Sequence, residues 1–66
     1  MTTITVNGKT LQTTHKTVQL VINELGLSTG RYAVEVDGEL TPKSELPALP
    51  IVEGMQIEVV QAVGGG

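Results

Sequence analysis

A single helical stripe, set between two hairpin signals, most constrains what this chain can become. Val18, Val21, Ile22 and Leu25 fall at i, i+3, i+4 and i+7, so they line one face of a short helix over about Val18 to Leu25. Thr17 precedes them as an N-cap, Gly26 follows as a left-handed residue, and Leu27 can fold back onto the last turn. The valines are poor intrinsic helix formers, so packing must hold this segment. One amphipathic helix cannot bury its stripe alone, and one half-buried sheet cannot bury its inner face alone. Laying one on the other solves both problems in two layers, an α+β arrangement.

The sheet is written on either side of the helix. Ile4 and Val6 alternate with Thr3 and Thr5, and Asn7-Gly8 supplies the two positive-φ positions of a type I′ turn. A second strand from Lys9 to about Thr13 has Leu11 as its only large apolar residue; it reads as an edge strand whose polar residues Thr10, Gln12 and Thr13 keep the open side wet. After the Ser28-Thr29-Gly30 loop, Tyr32, Val34 and Val36 alternate with Ala33 and Glu35. Asp37-Gly38 then turns the chain into a short return through Glu39 and Leu40. Pro42, Pro47 and Pro50 forbid a long regular element, so residues 41 to 53 read as a connection pinned by Leu46, Leu49 and Ile51. Glu53-Gly54 leads into the last strand, with Ile57 and Val59 inward and Gln56, Glu58 and Val60 outward. This order fits a β-grasp: a mixed sheet of four to five strands on one helix, with the C-terminal strand beside the N-terminal one at the centre.

Size and charge narrow the function. At 66 residues the chain is one small domain with a thin core, and it has little room to enclose an active site. The absence of cysteine suits a reducing, cytoplasmic setting and leaves no thiolate metal site. Neither a signal-peptide pattern nor a run of membrane-spanning length is present, so no membrane association is expected. The net charge is -3, the four cations Lys9, Lys16, Arg31 and Lys43 are scattered, and Tyr32 is the one aromatic residue. A nucleic-acid surface needs clustered cations and stacking aromatics, so nucleic acid is excluded as a partner. Glu45, Glu53 and Glu58 are a solvated face or a complement to a basic protein.

No side-chain constellation is catalytic. His15 is the only histidine and has no cysteine beside it to share a metal; Glu35, Asp37 and Glu39 sit on strand and turn positions where solvation explains them. No metal or bound cofactor is expected. The remaining chemistry lies in Gly64-Gly65-Gly66. Lacking Cβ, glycines can thread a narrow channel, and the five residues from Ala62 to Gly66 span at most about 17 Å when extended. Domain boundaries follow: a globular part over 1–63 and a flexible glycine tail over 64–66. An α-carboxyl titrates near 3.3 to 3.7 and is ionised at neutral pH. Such an anion can attack the α-phosphate of ATP and become an acyl-adenylate, from which a sulfur donor displaces AMP. A linker remnant is the competing explanation of the glycines, and the rest of the chain must decide between the two.

Taken together, the chain resembles the ThiS family of sulfur carriers, a branch of the ubiquitin-like β-grasp proteins. The resemblance rests on the Asn7-Gly8 hairpin, the Thr17-Val18 helix start, Val34-Glu35-Val36-Asp37-Gly38, Pro42-Lys43, Glu53-Gly54, Ile57-Glu58-Val59 and the terminal Gly65-Gly66. It implies that the protein is a co-substrate rather than an enzyme. Its Gly66 carboxylate would be adenylated by a ThiF- or MoeB-like enzyme using ATP, converted to a thiocarboxylate, and used by thiazole synthase in thiamin biosynthesis. The chain departs from the usual family pattern at Asp37 (usually Asn), Lys43 (usually Arg) and Met55 (usually Asp). Lys43 keeps the charge without the planar fork, and Met55 is free to pack inward.

Partner enzymes should meet the root of the tail at Val60, Ala62 and Val63, since Val60 is out of phase with the inward Ile57 and Val59. Ordering a tail costs about 1 to 2 kcal/mol per residue, which favours transient docking by a free monomer. Two other fates of an activated glycine end stay open. One is service as the small subunit of molybdopterin synthase, a family usually longer and often aromatic near its glycines, and the other is attachment to lysines as a ubiquitin-like modifier.

Overall fold

The computed structural model describes residues 1–62. Five strands form one sheet: β1 (Thr2–Val6), β2 (Lys9–Thr13), β3 (Tyr32–Val36), β4 (Glu39–Thr41) and β5 (Gln56–Gln61). Their spatial order is β2-β1-β5-β3-β4. β1 and β5 run parallel with Val6 opposite Ile57, and every other neighbouring pair is antiparallel. β5 is therefore the central strand, and β2 lies at an edge as its polar composition requires.

Helix α1 (Val18–Glu24) covers one face of the sheet. Thr17 caps it, its hydroxyl oxygen accepting from the Leu20 N–H at 3.4 Å. At the other end the Gly26 N–H donates to Asn23 O at 3.1 Å and the Leu27 N–H to Ile22 O at 2.9 Å. This is the Schellman pairing, with Gly26 at φ +72° and Leu27 packed against the core. Val18, Val21 and Ile22 are buried against Ile4, Val6, Val34, Ile57 and Val59, and Met55 packs inward with them. Burying each such side chain contributes about 1.5 to 3 kcal/mol, so a core this thin depends on all of them.

Three local expectations are corrected. Leu25 belongs to the apolar stripe by spacing, yet it is the C-cap and remains 42 % exposed, because the Schellman turn brings Leu27 to the core in its place. Thr13, expected to help keep the edge wet, is buried; its hydroxyl oxygen accepts from the His15 N–H at 3.0 Å and so is satisfied where the chain turns toward the helix. The proline-rich connection contains a 3-10 helix, Lys43–Ala48, which inserts the fully buried Leu46 beside α1. Pro42 and Pro47 limit its length rather than prevent it. This connection is tied to the start of the helix by the Val18 N–H to Leu49 O and the Ile51 N–H to Lys16 O, both at 3.0 Å.

Candidate functional site

The candidate site is the C-terminal end of β5, which leads into the glycine end of the sequence. Because β1 stops at Val6 while β5 runs on in the same direction, β5 outlasts its parallel neighbour. Asn7 fills the gap: its backbone N–H donates to Ile57 O at 2.9 Å and its side-chain Oδ1 accepts from the Val59 N–H at 2.8 Å. On the other flank, the Asp37 N–H donates to Gln56 O at 2.7 Å and its Oδ1 accepts from the Gln56 N–H at 2.9 Å. Gln61 Nε2 reaches Leu27 O at 3.2 Å and Thr29 Oγ1 at 3.5 Å, while the Ala62 N–H donates to Arg31 O at 3.0 Å. Beyond its sheet pairing, β5 is thus held at Gln56, Val59 and Gln61, and Ala62 just past it is tied to Arg31.

Val60 is 66 % exposed and Ala62 is exposed, as their phase requires. Together with Arg31, Tyr32 and Ala33 they line a shallow, mostly apolar depression beside the root of the tail. The expected tail residues Gly64, Gly65 and Gly66, and the expected contact residue Val63, lie outside the described residues. The same outer sheet face carries Glu35 directly opposite Glu58, with Leu40 on the far side of Glu35. Like charges in direct register disfavour the sheet, and among the described residues the one ion pair lies elsewhere, between His15 Nε2 and Glu24 Oε1 at 2.9 Å. A cationic group on a partner would relieve that repulsion.

Neither Asn7, Asp37 nor Gln61 stands out in the sequence as part of this site. Asn-Gly and Asp-Gly announce turns, but only the placement of β5 between them turns their side-chain oxygens into acceptors for its N–H groups. Lys43, which stands where the family usually has Arg, places its Nζ 4.1 Å from the centroid of the Tyr32 ring, a cation–π contact available to a point charge. Among the described residues, no group of three or more His, Asp or Glu side chains could hold a metal ion, and no helix is long and apolar enough to cross a membrane.

Comparison with known proteins decides what this arrangement belongs to. The ThiS family model matches residues 3–66, nearly the whole chain and the glycines with it. The chain belongs to the ThiS family. A solved structure of a thiamine biosynthesis protein (ThiS) from Geobacter metallireducens superimposes with a TM-score of 0.77 at 25% identity, covering 97% of this chain and 99% of that one. The α+β β-grasp expected from the sequence is thus the architecture of a ThiS protein. A thiazole synthase from Paramagnetospirillum magneticum is 36% identical over 50 residues, which is 76% of this chain. The match spans 15% of that protein, so a ThiS-like stretch there accompanies a much longer polypeptide.

Proposed function

We propose that this ThiS-family chain is a sulfur carrier in the making of the thiamin thiazole, and that its reacting group is the Gly66 carboxylate. The observation that carries the proposal is the family match running through residue 66, which makes the glycines part of the family pattern rather than an appendage. A carboxylate oxygen attacks the α-phosphorus of ATP in the active site of a ThiF- or MoeB-like adenylating enzyme and expels pyrophosphate. A hydrosulfide equivalent then attacks the acyl carbon and expels AMP, leaving the thiocarboxylate. The chain's own work is to present: Asn7, Asp37 and Gln61 fix β5, and Gly64, Gly65 and Gly66, which follow it in sequence, have no side chains to obstruct a channel. The protein is on this reading a co-substrate and not an enzyme, and it needs no bound cofactor.

The adenylating enzyme is assigned Val60 on the outer face of β5, together with Ala62 and Val63 that follow the strand in sequence, with a basic group near Glu35 and Glu58. The sulfur acceptor is assigned as a thiazole synthase, supported by the ThiS-like stretch in the Paramagnetospirillum protein. Both steps are placed in the cytoplasm. The test is intact-mass analysis after incubation with a ThiF-like enzyme, ATP and a sulfide source. One oxygen should be replaced by sulfur, the change should map to Gly66, and the chain shortened by Gly66 should stay unmodified. An unchanged mass with an enzyme active on another ThiS protein, or an adduct to lysines in place of the thiocarboxylate, would sink the proposal.

A further inference from the structure

The outer face of the sheet carries its charges in a fixed order beside the root of the tail. β3 and β5 pair so that Glu35 lies opposite Glu58 and Ala33 opposite Val60. The Ala62 N–H donates to Arg31 O at 3.0 Å, which carries the pairing one step past Gln61. Toward the tail, this two-strand ladder therefore runs from an acid pair through an apolar pair of unequal size to Arg31 beside Ala62. The small Ala33 next to the exposed Val60 leaves room for the shallow depression, and of the four cations Arg31 alone lines it. Among the described residues Arg31 takes part in no salt bridge, and neither do the two acids, whose direct register costs the sheet stability.

We infer that Arg31 sets the direction in which the adenylating enzyme docks: its guanidinium takes a carboxylate of that enzyme at the tail root, while Glu35 and Glu58 take a basic group and the depression takes an apolar side chain between them. The inference rests on the carrier reading above and deepens it. A patch of one sign accepts a charged partner in several rotations. A patch positive at one end and negative at the other accepts one, because turning the partner end for end sets like charges together. Four residues separate Arg31 from Glu35, at most about 14 Å of backbone, so the two charged contacts are separate points of attachment. Direction matters because only the Arg31 end of the patch leads through Ala62 to the glycines that follow it in sequence. A guanidinium suits the task, since its planar fork fixes the angle of a carboxylate as well as its distance.

The experiment measures adenylation of the full chain by a ThiF-like enzyme at low salt, with carrier and ATP titrated separately. Arg31→Gln and Glu58→Gln, both at exposed positions, should each raise the carrier concentration giving half-maximal rate roughly fivefold, with half-saturating ATP and the saturated rate unchanged. Arg31→Lys, which keeps the charge without the fork, should fall between wild type and Arg31→Gln. Glu58→Gln should melt no lower than wild type, since it removes the repulsion from Glu35, so its weaker docking is not a folding defect. The deciding variant exchanges the charges, Arg31→Glu with Glu58→Arg, and leaves the net charge at -3. It should need more carrier than either single variant, by roughly tenfold or more over wild type. Wild-type half-saturation in the exchanged variant overturns the inference, because total charge and not direction would then govern docking. A loss confined to half-saturating ATP overturns it by giving Arg31 to the nucleotide phosphates, and a loss confined to the saturated rate does so by placing the effect after docking. If the exchanged variant fails to fold, the two single variants decide: both must lose, and wild-type half-saturation in either overturns the inference. A wild-type chain left unmodified by an enzyme active on another ThiS protein refutes the carrier reading itself, a result distinct from each of these.

Discussion

The two hairpin turns share one backbone and differ in what they do with their first side chain. Asn7-Gly8 has φ values of 50° and 82°, and Asp37-Gly38 has 50° and 86°. Both flank β5, and both give a side-chain oxygen to one of its N–H groups. Asn7 acts at Val59, near the tail, in a part-buried setting beyond the end of β1; Asp37 acts at Gln56, where the strand begins, in the open. Both side chains belong to exposed residues, so the difference lies in the strand N–H that each serves: Val59 is buried, whereas Gln56 is exposed. The pair teaches that hairpin geometry and strand anchoring are separable tasks assigned to the same residue, with different stakes at the two ends of β5.

The largest break in this comparison should come from Asn7→Ala. Alanine at φ +50° is strained by about 1 to 2 kcal/mol, and the Val59 N–H loses a sheltered acceptor worth about 1 to 3 kcal/mol more. The urea midpoint should fall by the equivalent of about 2 to 5 kcal/mol, and hydrogen exchange at Val59 should quicken beyond what the global loss explains. A shift below about 1 kcal/mol would show that water replaces the amide freely and that the root of the tail is not held by Asn7. At temperatures where the variant is folded, thiocarboxylation should continue, since the acyl chemistry does not involve this side chain.

A smaller effect is expected from Asp37→Gly, which accepts positive φ without strain and removes only the exposed acceptor for Gln56. Its cost should be less than about 1 kcal/mol by urea denaturation. A loss as large as that of Asn7→Ala would remove the distinction between the sheltered and open ends of β5.

The same two turns show how much of the molecule was legible in its sequence. Their existence follows from Asn-Gly and Asp-Gly between alternating runs, and the outward phase of Val60 follows from Ile57 and Val59, since turn chemistry and strand period are local properties. The side-chain grip on β5 was not legible, because it joins residues 52 apart in one case and 19 in the other. Leu25 was misplaced for a related reason: helical spacing continues through it, but the chain bends at Gly26 and Leu27 takes the core position. The 3-10 helix lacks a distinctive period of its own, and only the burial of Leu46 reveals what it contributes. Of the candidate site, the outward Val60 and Ala62 were legible from strand phase, while the glycines lie outside the described residues.

The finest test of the comparison is Asp37→Asn, which gives the second turn the amide that the first already has. Asparagine also tolerates positive φ, and its Oδ1 can accept from the Gln56 N–H as the carboxylate does. Charge is what changes: one of the seven acids goes, on a chain of net charge -3. A charge-assisted hydrogen bond is the stronger kind, but in the open its advantage is reduced by water and salt. These opposed terms should leave stability within about 0.5 kcal/mol of wild type, with Gln56 exchange unaltered. A loss above about 1 kcal/mol that shrinks as salt is added would mean that the negative charge itself fixes the start of β5, so that the two turns hold one strand by different forces.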